Sequence, residues 1–289
     1  MAVHPGAAIK RFETWLASPG GQKRASLRYH LRRAWTRWLP GCPVLLRCEP
    51  GLWWIARDDG VSEELFTGVF EVDERRFVAG FLKPGMVVLD VGAHSGYYTL
   101  LASRLVGPRG RVFAFEPSPR ERQRLRQHLW LNRCRNVIVE PVALSDRPGE
   151  ADLFVFDRST GFNSLRPADA RAATPVAVPL KTLDAFFAAG AFSSVDLVKM
   201  DIEGAELAAL RGAEQTFRAA RPVLLCEVHD KRTAPWGYAA RDIIDLVTAW
   251  GYRWYRLGRG GTLAPIGAGE AAFFGNAVAL PTEQPPPDR

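Results

Sequence analysis

Residues 86–96 read Met-Val-Val-Leu-Asp-Val-Gly-Ala-His-Ser-Gly, an apolar run that stops at an acid and opens into a glycine-spaced turn. Met86–Leu89 is short and rich in β-branched residues, the pattern of a strand buried on both faces of a parallel sheet. Asp90 stands near its carboxyl end. Gly92 and Gly96 then let the backbone turn sharply, and Tyr97–Leu105 continues with helical spacing. Open α/β sheets bind ligands at this place, outside the carboxyl ends of their strands. A second apolar strand, Val112-Phe113-Ala114-Phe115, closes on Glu116. A carboxylate there can accept from both hydroxyls of a ribose, so a nucleoside cofactor is expected.

The spacing narrows the choice. A dinucleotide site wants Gly-x-Gly-x-x-Gly, in which backbone amides meet a pyrophosphate. Here His94 occupies the position two after Gly92, and the pattern is Gly-x-x-x-Gly. This disfavours a nicotinamide dehydrogenase. It resembles the first motif of S-adenosylmethionine-dependent methyltransferases, with Asp90 near the positively charged methionine end of the cofactor.

Two later segments extend the resemblance. Val195–Gly204 reads Val-Asp-Leu-Val-Lys-Met-Asp-Ile-Glu-Gly, a buried strand ending in Asp201 and Glu203. Pro222–Asp230 is a further strand carrying Glu227 and His229. Together with Asp90–Gly96, these strongly resemble the FkbM-type family of S-adenosylmethionine-dependent O-methyltransferases. Gly68-Val-Phe-Glu71, Glu116-Pro117, Ala143-Leu-Ser-Asp146 and Thr182-Leu-Asp184 add to the match, which covers about residues 60–255. His94 departs from it, since such families often carry Asn there. The resemblance implies a doubly wound, mostly parallel seven-stranded sheet of the class I methyltransferase, Rossmann-like type, with an antiparallel last strand. It implies S-adenosyl-L-methionine as cofactor, contacted by Asp90, Gly92, Ala93, His94, Gly96, Glu116 and Ala143.

Methyl transfer to a hydroxyl asks the protein to orient the acceptor and take its proton. Lys199, Asp201, Glu203 and His229 gather at the ends of adjacent strands and are the candidate catalytic residues. His229 is placed first as base, because histidine titrates near neutral pH. The competing reading is that His229 caps a strand or hydrogen-bonds a neighbour. Period two puts Lys199 and Asp201 on one side of their strand. Two near-adjacent carboxylates are too few to assign a metal, and Glu203 is also an acid suited to the first turn of a helix. Methylation of nucleic-acid bases is disfavoured, because the turn Asp201-Ile-Glu-Gly204 lacks an aromatic to stack a flipped base. The preferred function is O-methylation of a small-molecule, glycan, glycolipid or polyketide-type hydroxyl. The alternatives are a non-catalytic S-adenosylmethionine-binding module, or a methyltransferase acting on nucleic acid or another partner of the basic segment.

Charge is concentrated at one end. Residues 1–40 hold eight basic side chains against Glu13, an excess of seven that equals the chain's formal net charge of +7. Within it, Gln22–Leu39 sets Leu27, Leu31, Ala34, Trp35 and Trp38 on one face of a helix, with Arg24, Arg28 and Arg32 on another side. Packing of that helix on the catalytic domain is the preferred reading, with contact to an anionic membrane surface as the alternative. The four cysteines show no zinc-type spacing, and no stretch approaches a transmembrane length. A cytoplasmic location is therefore expected, with peripheral membrane attachment through 22–39 as its variant. The expected partition is an N-terminal basic helix and cap segment over 1–80, a methyltransferase domain over 81–280, and a disordered, proline-rich tail over 281–289.

Local pattern predicts strands around the turn Glu49-Pro50-Gly51 and a helical lead-in over Val61–Phe81. It also predicts a strand over 137–142 and an extra strand pair bracketing the polar loop Asp157–Ala173. One helix is expected over 203–218, and two final strands near 252–257 and 271–279.

Overall fold

A computed structural model describes residues 35, 37, 38, 41–49, 51–157, 160–267, 270 and 272–286. Apart from Trp35, Arg37 and Trp38, which are helical, the basic helix expected over 22–39 lies outside the described residues. In chain order the elements are β1 (Val44–Glu49), β2 (Leu52–Ala56), α1 (Gly60–Thr67), α2 (Val72–Phe81), β3 (Val87–Val91), α3 (Tyr97–Val106), β4 (Arg111–Phe115), α4 (Pro119–Leu131) and β5 (Val137–Glu140). There follow β6 (Ala143–Leu144), β7 (Gly149–Phe156), β8 (Ala173–Lys181), α5 (Leu183–Ala188), β9 (Leu197–Met200), α6 (Glu206–Arg211), α7 (Glu214–Ala220) and β10 (Val223–His229). The chain continues through α8 (Asp230–Thr233), α9 (Ala240–Ala249), β11 (Tyr252–Gly258), β12 (Thr262–Pro265) and β13 (Phe274–Pro281).

The main sheet has eight strands in the order β12-β11-β13-β10-β9-β3-β4-β5. β10, β9, β3, β4 and β5 run parallel, and β13 inserts antiparallel between β10 and β11. Seven strands were expected. The eighth is β12, which folds back antiparallel on β11 across Arg259-Gly260-Gly261. Its four residues, Thr-Leu-Ala-Pro, are half-exposed and carry no alternation from which a strand could be read.

Period two gives the sheet two apolar faces, and both are covered. Leu89, Val91, Phe113, Phe115, Val198 and Met200 share one core with Leu207, Leu210, Phe217, Ile243 and Val247 from the later helices. Val88, Val112, Ala114, Leu197 and Leu225 share the other with Phe77, Leu100, Leu101, Leu125 and Trp54. The N-terminal hairpin β1–β2 thus belongs to the same core as the sheet. Its outer edge is satisfied by α4: the Ile55 N–H donates to His128 Nε2 (3.1 Å), and the Trp53 N–H to Asn132 Oδ1 (2.7 Å). Side chains take the place of a third strand there, so no unpaired edge is left along β2.

Other expectations are refined. The lead-in is two helices, because Gly68 (φ 84°) and Glu71 (φ 37°) both adopt left-handed backbone between them. The strand over 137–142 stops at Glu140, before Pro141, which has no N–H to give a ladder. Ala143-Leu144 pairs instead with β8, whose antiparallel partner β7 completes a separate three-stranded sheet. The helix expected over 203–218 begins only at Glu206 and breaks between α6 and α7, where Asp184 accepts from the Gln215 and Thr216 amides and caps the second piece. The tail is ordered at its start. Pro281 is buried in β13, the Thr282 N–H donates to Gly251 O (3.0 Å), and Glu283 pairs with Arg221 at 2.8 Å. Among the described residues no helix is long and apolar enough to cross a membrane.

Candidate active site

The carboxyl ends of β3, β4, β9 and β10 open into a cavity of about 460 Å³, roofed by the α1–α2 segment and by residues 160–165. Asp90 stands at the end of β3, fully buried. Its Oδ2 accepts from the Thr99 hydroxyl (2.5 Å), while Oδ1 is buried with no hydrogen-bond partner. Burial raises its pKa, opposed by the nearby Lys199 ammonium and the Thr99 hydrogen bond.

Next comes the glycine turn. Gly92 has φ 81°, and a Cβ there would collide with the Asp201 carbonyl oxygen, so the turn and the β9 end can meet only at glycine. Gly92 and Ala93 donate to Phe115 O at 3.0 and 3.1 Å. The His94 amide (φ 52°) donates to Glu116 Oε2 at 2.7 Å, and the Ser118 amide to Glu116 Oε1 at 2.8 Å. Burial lifts Glu116 to about 7 despite those two bonds. Burial lowers the pKa of the His94 ring, opposed by Glu121, whose Oε2 lies 3.6 Å from its Nε2. Asp90, Gly92, Ala93, His94, Glu116 and Ala143 all line the cavity. Gly96 does not. At φ 97° its bare Cα faces Leu125, so close packing of the turn on α4 is what excludes a side chain there.

The other wall is acidic. Lys199 and Asp201 project from one side of β9, with Nζ 3.2 Å from Oδ2 and 5.1 Å over the Tyr98 ring. Burial disfavours this ammonium, but Asp201, Asp90 and Glu71 outweigh it and raise the lysine pKa above its ordinary value. Glu203 sits in left-handed backbone (φ 56°) with its Oε2 2.9 Å from Arg232 Nε. Burial and then Asp201 push it up to about 8. Ser164 Oγ donates to the Glu203 carbonyl (3.0 Å), tying the 160–165 loop to this turn.

Two further acids complete the wall. Glu227, on β10, has Oε2 buried without a partner, and burial with Asp201, Glu203 and Glu206 around it holds its carboxyl well above the usual range. Glu71 reaches in from the lead-in and accepts from the Tyr98 hydroxyl (2.5 Å); burial raises its pKa against the pull of Lys199. Neither was given a catalytic role in the sequence reading. The signal for Glu227 was an acid inside an otherwise apolar strand, Val223-Leu-Leu-Cys-Glu-Val.

His229 stands apart from the other candidates. It does not line the cavity. At the end of β10 its Nδ1 accepts from the Lys231 amide (3.1 Å), capping α8, and its ring meets its cross-strand neighbour Phe274 edge-on at 5.8 Å. Ligand oxygens of Asp201, Glu203 and Glu227 lie within 4.8 Å of one another, so the acid count is three where the sequence suggested two. That is enough donors for a divalent ion, although Lys199 and Arg232 already lie against the same oxygens.

The methyltransferase FkbM domain model matches residues 90–254. This chain belongs to the FkbM methyltransferase family. This FkbM-family chain is 29% identical to the 2-O-methyltransferase NoeI of Sinorhizobium fredii over 191 residues, 60% of this chain and 75% of NoeI. It is 29% identical to the AMB antimetabolite synthetase AmbE of Pseudomonas aeruginosa over 228 residues, 66% of this chain but 10% of AmbE. Among solved structures, methyltransferase FkbM from Methylobacillus flagellatus superposes with a TM-score of 0.43 at 15% identity, over 78% of this chain and 56% of that one. Family membership makes the protein an S-adenosylmethionine-dependent methyltransferase.

Proposed function

We propose that this FkbM-family protein methylates a hydroxyl oxygen of a small-molecule, glycan, glycolipid or polyketide-type acceptor. The observation that carries the reading is the meeting of Asp201, Glu203 and Glu227 on the wall of the cavity that Asp90 and Glu116 also line. An alcohol is a poor nucleophile until its proton has somewhere to go, and a cluster of desolvated carboxylates is such a place. The name of NoeI, a 2-O-methyltransferase, agrees with oxygen as the acceptor atom.

The residues fit the cofactor. Asp90 keeps a buried oxygen free of partners, the turn at Gly92 presents no side chain, and Glu116 spends only one lone pair of each oxygen on amides. Asp90 and Gly92–His94 would hold the methionine portion, with Glu116 on the ribose hydroxyls and Ala143 against the base. When bound, S-adenosylmethionine supplies an electrophilic methyl group on a sulfonium. Glu227 takes the acceptor proton, because of the three acids it is the one with a fully buried carboxylate oxygen that has no hydrogen-bond partner, its other oxygen lying 3.9 Å from Arg232 Nε. Lys199 fixes Asp201, and Arg232 fixes Glu203. With the cofactor bound, the O–H proton would pass to the Glu227 carboxylate as the acceptor oxygen gains the methyl group and the methyl–sulfur bond breaks, leaving S-adenosylhomocysteine.

Incubation with methyl-labelled S-adenosylmethionine and extracts of host metabolites and glycolipids tests the assignment. We expect a labelled methyl ether that survives mild alkali, absent with Glu227→Gln. Label on nitrogen, or label released by alkali as methanol from an ester, would refute it.

A further inference from the structure

A second cavity, of about 420 Å³, adjoins the first and shares Phe162, Ser164, Glu203 and Arg232 with it. It lies between the β7–β8 loop and the segment from Lys231 to Pro235. The described residues of the loop are anchored: Phe154 and Ser164 form a β-bridge, Ser164 Oγ donates to Glu203 O, and Arg120 Nη2 donates to Phe156 O at 2.7 Å.

The two cavities carry opposite charge. The charged lining of the first is mainly carboxylate, whereas the second is lined by Arg166, Arg171, Lys231 and Arg232 against Asp169 and Glu203. Both of those acids are engaged. Asp169 takes Arg171 in a two-pronged pair at 2.7–3.1 Å, and Glu203 takes Arg232. Arg166 and Lys231 are left, both exposed and without an acidic partner among the described residues. The Arg166 guanidinium is stacked 5.0 Å over Trp236, and Arg232 lies 4.6 Å over Phe162, whose ring is 47% exposed. An aromatic face beside free cations suits the C–H face of a sugar ring that bears a negative group.

We propose that this second cavity is the acceptor subsite and that the acceptor is a hydroxylated molecule carrying an oxyanion, a phosphate or a carboxylate, seated by Arg166 and Lys231. The inference rests on the O-methyltransferase reading, and it adds an orienting device. A negative group is repelled by Asp201, Glu203 and Glu227 and drawn to Arg166 and Lys231, so only the hydroxyl-bearing end of the acceptor approaches Glu227. A neutral acceptor would have no such preference for one end.

The test uses the full chain saturated with S-adenosylhomocysteine and titrated with glucose 1-phosphate, glucuronate and glucose. The first two probes separate phosphate from carboxylate. We expect at least one of them to bind at millimolar concentration and more tightly than glucose, and the affinity to fall as salt rises. Arg166→Gln with Lys231→Gln should weaken the anionic probe roughly ten- to hundredfold. The affinity for S-adenosylhomocysteine should stay unchanged. Both residues are exposed, so the variant should fold, which its melting temperature checks. An unchanged affinity in the double variant, or failure of both anionic probes to bind better than glucose, overturns the proposal. Failure to bind S-adenosylhomocysteine would count against the functional reading instead. The charge seat is then judged on the ligand-free protein by the same titrations.

Discussion

The His94 amide donates to Glu116 Oε2 at 2.7 Å, so the glycine turn after β3 is fastened to the acid that ends β4. Two motifs 22 residues apart become one binding surface through that bond. The Ser118 amide on Oε1 fixes the same carboxylate from the other side. If Glu116 also accepts from a ribose, Glu116→Ala removes a charge-assisted hydrogen bond, a loss of about 1.5–3 kcal/mol. Calorimetry with S-adenosylhomocysteine should show roughly ten- to hundredfold weaker binding by a folded variant. Unaltered affinity would remove the ribose role.

Proton release should accompany cofactor binding. Burial raises Glu71, Glu116 and Glu203, with Glu116 at about 7 and Glu203 at about 8, so near pH 7 the cavity retains protons. A cationic ligand favours the ionised carboxylates and expels them. S-adenosylmethionine carries one more positive charge than its demethylated product. Calorimetry in buffers of different ionisation enthalpy should therefore report more protons released by the former. Equal release for both ligands would mean that the sulfonium does not sense these acids.

The fold was legible where pattern and period coincide. Val87–Val91, Arg111–Phe115, Leu197–Met200 and Val223–His229 are apolar on both faces and end in acids or a histidine, which marks both strand and ligand edge. β12 was not legible, because four half-exposed residues after a glycine turn gain their pairing only from β11. At the site, Asp90, Glu116, Lys199, Asp201 and Glu203 were singled out from strand ends, and the structure brings all five to one cavity. Glu227 and Glu71 were given no catalytic role because their importance lies in what surrounds them: desolvation and neighbouring charge appear only when β9, β10 and the lead-in come together. His229 was chosen for its intrinsic pKa, a property of the residue type that says nothing about which way a strand-end side chain turns.

His128 makes stability depend on pH in a defined window. Its Nδ1 lies 2.7 Å from Ser95 O and its Nε2 accepts from the Ile55 amide, which fixes the neutral tautomer. The ring stacks on Trp54 at 3.9 Å. Burial pushes its pKa down from 6.5 to about 4. The folded value is depressed, so the contribution is complete above pH 6.5 and is lost as pH falls toward 4, up to about 3 kcal/mol. Urea unfolding of wild type and His128→Gln across this range should differ in slope, with the wild type losing more. Parallel curves would show that the histidine is not buried neutral.

Chelation separates two uses of the acid cluster. Lys199 and Arg232 already compensate Asp201 and Glu203 at 3.2 and 2.9 Å. Dialysis against EDTA should therefore leave turnover unchanged. Loss of activity restored by Mg²⁺ would make Asp201, Glu203 and Glu227 metal ligands instead.

The acceptor proton decides between Glu227 and His229. Glu227 has a buried free oxygen on the cavity wall, while His229 caps α8 outside it. Glu227→Gln keeps the shape and removes the base, so turnover should fall roughly 10²–10⁴-fold with little change in cofactor affinity. His229→Ala should leave turnover within a few-fold. The pH profile carries a sign: the base works ionised, and its pKa is raised by burial and by Asp201 and Glu203, so kcat/KM should climb with pH on the alkaline side of neutrality. That rising limb should vanish in Glu227→Gln. A profile that instead loses a limb near pH 6.5 in His229→Ala, with Glu227→Gln active, would return the proton to the histidine.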